Sequence, residues 1–198
     1  MSPDEVFRIE RARGSSIGAT VVGFFGAAWL MWGMVSGGAS WQTGAAAVLP
    51  VFILIGFLGM LVRRRLPKIA QVEIPEKKQM MRVFMIVNVV QWVGIFGVVN
   101  LLGHLHLSAW IIPAIVLIVG AHFLPLASIF RAPQHVKTGI AMMLCAAAAI
   151  MLPVSVRDTV ECVGAGVILW ISAAAALHVA FRFTPRRVLA RAAGLQGQ

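Results

Sequence analysis

The feature that most constrains the fold is a set of six apolar runs that contain no Asp, Glu, Lys or Arg. Each run has about 17 to 21 residues, which as an α-helix is close to the length that crosses a hydrocarbon layer of ~30 Å. Lipid offers backbone groups no hydrogen-bond partners, and the runs lack the alternating polarity of barrel strands, so we expect helices. The predicted spans are residues 17–35, 45–62, 83–102, 110–130, 140–156 and 162–181. The sequence therefore predicts an all-α integral membrane protein, a six-transmembrane-helix bundle in a single membrane domain, 1–198.

The basic residues divide unequally between the connections. Sixteen of the seventeen Lys and Arg residues precede span one, lie between spans two and three, or follow spans four and six, and only Arg157 lies on the other side. The positive-inside rule then places both termini in the cytoplasm, which predicts a multi-pass protein of a bacterial cytoplasmic (inner) membrane. The net charge of +10 is explained by contact with anionic lipid headgroups at this inner face, without any nucleic acid.

The connections on the opposite side are short and nearly uncharged, so spans one and two, three and four, and five and six are expected to form three antiparallel hairpins. Residues 1–14 are expected to form a short interfacial helix, and residues 185–198 a basic tail. Residues 157–161 are interpreted as an external loop, which leaves no acidic residue within a span. Cys145 is placed in the inner half of span five and Cys162 at the outer end of span six, so their depths do not suit a disulfide.

Polar side chains inside spans are costly, so they are the first candidates for a ligand-binding site. Gln91 and His122 each lie eight positions from the cytoplasmic end of their span, at a matching depth of ~12 Å. We therefore expect a neutral, inward-facing His122 that hydrogen-bonds with Gln91 or with Asn88. Either a structural contact between helices or a ligand site would produce this pattern. The ligand-binding candidates are His122, Gln91, Asn88, Trp92, which shares the face of Asn88 and Gln91, and His178.

The segment Gly120-Ala-His-Phe-Leu-Pro-Leu-Ala127 resembles a Gly-x-His-Phe-x-Pro-Leu-Ala motif found in an uncharacterised family of small bacterial multi-pass membrane proteins. The resemblance covers one span and implies a membrane location but no activity. Pro125 removes the hydrogen bond to the carbonyl of Ala121. Because such kinks beside an ionisable side chain often accompany a cavity, we expect one near His122.

Cofactor chemistry finds little support in the residue pattern. His122 and His178, the histidines within spans, differ in depth by ~7 Å, which does not suit axial haem ligation. His104, His106 and His135 are interpreted as loop residues without partners at metal-site spacing, so no metal site is predicted. The absence of a phosphate-binding loop, a nucleophile elbow or paired carboxylates makes hydrolysis and phosphoryl transfer unexpected, and an enzyme is not favoured.

The sequence leaves three functions open. The preferred one is binding or transport of a small or lipidic solute through a cavity in the inner half of the membrane near His122. The first alternative is a non-catalytic accessory or scaffold subunit, whose small-residue stripes would pack against a membrane partner protein or a second copy of the chain. The second alternative is a haem or redox membrane protein.

Overall fold

The structure is a computed structural model that describes residues 3–67 and 75–184. Within these ranges the chain is almost entirely helical and contains no strand. The predicted basic tail, 185–198, lies outside the described residues. The helices are α1 (Pro3–Ser36), α2 (Trp41–Arg65), α3 (Pro75–His104), α4 (Ile111–Ile129), α5 (Gln134–Ala149) and α6 (Val154–Phe183), with a 3-10 turn (Ser108–Trp110) before α4.

Five of these helices, α1, α2, α3, α4 with its preceding 3-10 turn, and α6, are long and apolar enough to cross a membrane. This finding confirms the predicted character of a helical, multi-pass membrane protein. The remaining helix, α5, has 16 residues and at ~1.5 Å per residue is about 24 Å long, which is shorter than a typical hydrocarbon layer. A sixth complete span therefore stays a prediction.

The predicted boundary between spans five and six is wrong. The sequence placed one span at 140–156 and the next at 162–181, but α5 ends at Ala149 and α6 begins at Val154. The intervening turn is apolar up to Leu152, so hydropathy continues across it, whereas Pro153 cannot donate the backbone hydrogen bond that would continue α5. Residues 157–161 are consequently helical turns of α6, and not an external loop.

This shift also corrects two predictions about depth. Glu161 is a fully buried acidic residue within α6, although no acidic residue was expected in a span. Cys145 lies four residues before the end of α5, and its Sγ is 4.0 Å from the backbone oxygen of Glu161. The two cysteines are therefore close in depth, but both are free thiols, and the buried Cys162 packs against Gly33 of α1 instead.

The N-terminal segment does not form a separate surface helix, because α1 runs unbroken from Pro3. The Ser16 hydroxyl donates to the carbonyl of Arg13 at 2.8 Å, a local bond that is compatible with a continuous helix. Ile9 and Ala12 are buried in a small core with residues of α2 and α6. This apolar contact holds the first turns of α1 in line with the rest of the helix.

The helices pack in the spatial order α2, α1, α6, α5, α4, α3, and the α1–α6 contact is the most extensive. Small residues form its centre. A Cβ added to Gly166 would lie 2.8 Å from the backbone nitrogen of Leu30 and 2.9 Å from the carbonyl of Gly26. Gly33 lies next to Val163 further along the same pair. Helix α3, by contrast, packs mainly against α4.

The two ends of the molecule differ in charge, and we name them accordingly. The basic end carries the first turns of α1, the last turns of α2 and α6, and the α4–α5 turn at Arg131. There, Arg13 donates to the carbonyl of Pro67 at 2.9 Å, and the Arg63 guanidinium lies 3.4 Å from the carbonyl of Ser16. The far end carries the turns at 37–40, 105–107 and 150–153.

Candidate functional site

Gln91 of α3 and His122 of α4, which the sequence predicts to lie at a matching depth, are bracketed by two contacts between these helices. The phenyl rings of Phe84 and Phe130 meet at 5.5 Å towards the basic end. On the other side of the pair, the position of a Cβ on Gly94 lies 3.9 Å from Ile118. Asn88, Gln91 and His122 are all half-buried between these two contacts.

The expected hydrogen bond between His122 and an amide side chain is not formed in the described part of the chain. The Asn88 amide donates to the carbonyl of Phe84 at 2.8 Å, four residues earlier in its own helix. Such local bonds compete with contacts between helices because they need no partner element. The Nδ1 atom of His122 is buried without a hydrogen-bond partner, and the ring lies beside the backbone of Val87.

The other two predicted ligand-binding residues lie elsewhere. Trp92 is 50% exposed on the outer side of α3, where its ring is 6.1 Å from that of Phe96. It therefore does not share an inward face with Asn88 and Gln91. His178 is exposed on α6, and no described contact joins it to His122.

Sequence reasoning missed His135, which was interpreted as a loop residue. It lies in the first turn of α5, and its ring centroid is 5.7 Å from that of Phe123 and 6.3 Å from that of Phe130. Its Nδ1 atom, like that of His122, is buried without a hydrogen-bond partner among the described residues. His122 and His135 are close in sequence and lie on either side of the turn at Pro133. This arrangement, on two consecutive antiparallel helices, could have indicated that they are near each other.

These residues form a group that we call the histidine cluster, which contains His122, His135, Phe84, Phe123 and Phe130. The group holds together because α4 and α5 approach closely just beside it. A Cβ added to Gly139 would lie 2.6 Å from the carbonyl of Gly120, so only glycine allows this backbone separation. The two imidazoles are thereby held at similar heights on adjacent helices, with phenyl rings around them.

The contacts of α4 give a physical account of the segment Gly120–Ala127. Gly120 allows the close approach of α5, His122 and Phe123 belong to the histidine cluster, and Leu126 and Ala127 are buried in the interior. Pro125 lies within α4, and its carbonyl accepts a hydrogen bond from the Ser128 hydroxyl at 2.8 Å. The segment therefore combines tight packing with two aromatic rings at one level.

The expected cavity near His122 does not coincide with either of two surface grooves of the described residues. One groove, of about 430 Å³, lies along the first turns of α3, where Lys78 and Arg82 line it. The other, of about 420 Å³, lies on α1 beside Met31 and Trp32. In the described residues, no three His, Cys, Asp or Glu side chains are grouped so as to hold a metal ion.

Comparisons with family models, with curated proteins and with solved structures found no match to this chain. The resemblance of the Gly120–Ala127 segment to a membrane-protein family therefore stays a prediction. The histidine cluster must be interpreted from its own geometry.

Proposed function

We propose that the protein binds, and by binding helps to move, a small amphipathic solute at the histidine cluster. The observation that supports this proposal is the pair of buried Nδ1 atoms, on His122 and His135, that lack hydrogen-bond partners in the described part of the chain. A buried polar atom without a partner costs about 1–3 kcal/mol. A site that retains two of them, both on imidazoles near the Phe123 ring, has the capacity to form hydrogen bonds with a bound molecule.

The chemistry of the cluster limits the class of solute. A neutral imidazole donates from one nitrogen and accepts at the other, so two imidazoles suit a hydroxyl, carbonyl or amide headgroup. The surrounding rings of Phe84, Phe123 and Phe130 suit an apolar body. An uncharged head is expected, because the cluster contains no carboxylate, Lys or Arg side chain that could pair with a charged group.

The position of the cluster suits entry from the lipid. Helix α3 packs mainly against α4, so the seam between these two helices borders the bilayer along its length. The rings of Phe84 and Phe130 meet across this seam, and both side chains are at least partly exposed. If the basic end faces the cytoplasm, as the positive-inside rule predicts, the solute enters from the inner half of the membrane.

Site-specific photo-cross-linking tests the proposal without requiring that the solute survive purification. A photoreactive phenylalanine analogue replaces Phe130 in the cluster, and in a matched control it replaces Phe181, a partly exposed residue of α6. After irradiation in intact membranes, we expect a small-molecule adduct at position 130 alone. The adduct should be lost in His122→Leu and His135→Leu and retained in His178→Leu.

Three outcomes would contradict the proposal. Identical adducts at 130 and 181 would mean that the cluster meets only bulk lipid. An adduct that survives both histidine substitutions would mean that the imidazoles do not recognise it. A protein adduct in place of a small molecule would favour the accessory-subunit alternative, and its mass would show whether the partner is a second copy of the chain.

A further inference from the structure

A second unusual group lies at the far end of the molecule, on the face of α6 that packs towards α5. Glu161 is completely buried, and neither of its carboxyl oxygens has a hydrogen-bond partner in the described residues. The nearby contact from α5 comes from Cys145, whose thiol reaches the backbone oxygen of Glu161 and not its carboxyl group. Among the described residues, no hydrogen bond to the carboxyl group therefore explains the burial of this side chain.

The cation closest in sequence is engaged elsewhere. Arg157 lies one turn before Glu161 in α6 and is also buried. Its Nη2 donates to the carbonyls of Ile150 and Leu152 at 3.2 and 3.1 Å, and its guanidinium carbon is 5.4 Å from the ring centroid of Trp110. Arg157 thus holds the turn after α5, where free carbonyls favour a cation. Its Nε atom has no partner among the described residues.

A buried carboxylate without a bonded cation is strongly disfavoured, because it loses its hydration and gains nothing in return. The neutral acid is favoured in such a place, yet its O–H group also finds no acceptor here. In the described residues, neither the charged nor the neutral form of Glu161 is stabilised by a hydrogen bond to its carboxyl group. Ionisable groups that membrane proteins retain at such cost are functional by default.

We propose that Glu161 is a proton-binding site, where the protein takes up one proton and releases it to the aqueous phase at the far end. The site lies two turns from the start of α6, beside the half-buried Asp158, so the path to that surface is short. When the proton leaves, the positive charge nearest in the helix is that of Arg157, one turn away, which remains bonded to the carbonyls of Ile150 and Leu152 and does not pair directly with the carboxylate. The titratable groups around Glu161 are Arg157, Asp158 and Cys162 of α6 and Cys145 of α5. This site does not depend on the histidine cluster.

Infrared difference spectroscopy of the full chain in liposomes tests the proposal directly. In the wild type, we expect the carbonyl stretch of a protonated carboxyl group at neutral pH, and its loss on alkaline titration. Glu161→Gln should remove this band. Glu10→Gln, which changes an exposed acid near the start of α1, should leave it unchanged. A band that persists at every pH would show a permanently neutral structural acid, and a wild type without the band would show an ionised one; either result overturns the proposal.

A second measurement needs no substitution and therefore does not depend on folding of a variant. A hydrophobic carbodiimide reacts with protonated carboxyl groups in apolar surroundings, and peptide mass spectrometry locates the product. We expect modification of Glu161 that declines as the pH rises and is unaffected by sodium. Protection by sodium at constant pH would indicate a metal-cation site in place of a proton site, and no modification of Glu161 at any pH would refute both.

Discussion

The α1–α6 pair and the α3–α4 pair are both contacts between long apolar helices, yet they are built differently. In the first, glycines at 26, 33 and 166 bring backbone close to backbone, and the Trp170 indole donates to the carbonyl of Gly23 at 3.1 Å. In the second, even a Cβ added to Gly94 would lie 3.9 Å from Ile118, which is an ordinary van der Waals distance. Because lipid competes equally well for apolar side chains, close packing and hydrogen bonds hold membrane helices together. We infer that α1–α6 is the stable part and that α3 is the helix most easily displaced.

The largest effect should come from filling the α1–α6 contact. Gly166→Ala places a methyl group against the backbone of Leu30 and Gly26, which cannot move as a side chain can. Overpacking of this kind costs about 1–3 kcal/mol of unfolding free energy. Gly97→Ala on α3 is the matched control, because a Cβ there meets nothing within 4 Å. Denaturant titration in mixed micelles measures both, and equal stability of the two variants would contradict the inferred contact.

A smaller effect is expected from removing one hydrogen bond in the same contact. Trp170→Phe keeps most of the ring but loses the donor to the carbonyl of Gly23, and should lower the unfolding free energy by about 1 kcal/mol. Trp92→Phe on α3 is the control, since Trp92 is half exposed and makes no described side-chain hydrogen bond. If Trp92→Phe is the more damaging substitution, α3 is held more firmly than the comparison implies.

The helical membrane class could be predicted from the sequence because charge-free runs of this length have few other solutions. The α5–α6 boundary could not, because the turn before Pro153 is as apolar as the helices. The burial of Glu161 was also not predicted, because the charged residues at 157–161 suggest a loop. In the structure, Arg157 instead donates hydrogen bonds to carbonyls at the end of α5 and in the following turn.

The candidate site could be predicted in part. Counting residues predicts a common depth for His122 and Gln91, because a depth depends only on the helical rise, and the α3–α4 contacts at Phe84–Phe130 and Gly94–Ile118 bracket both residues. The expected hydrogen bond between His122 and an amide is not formed, since the Asn88 amide donates instead to the carbonyl of Phe84 within α3. His135 was missed because α5 begins earlier than its hydropathy indicates, at Gln134 and not at residue 140.

The smallest effect, and the sharpest test of the looser contact, concerns Gly94 itself. Gly94→Ala adds a methyl group at ordinary contact distance from Ile118, so its unfolding free energy should lie within about 0.5 kcal/mol of that of Gly97→Ala. Alanine favours the helix over glycine by a similar amount at both positions. The difference in unfolding free energy between the two variants therefore reports only the contact with α4. A loss for Gly94→Ala as large as that for Gly166→Ala would show that α3 is clamped to α4. In that case the seam beside the histidine cluster would be closed to lipid, and a solute would need another route to His122.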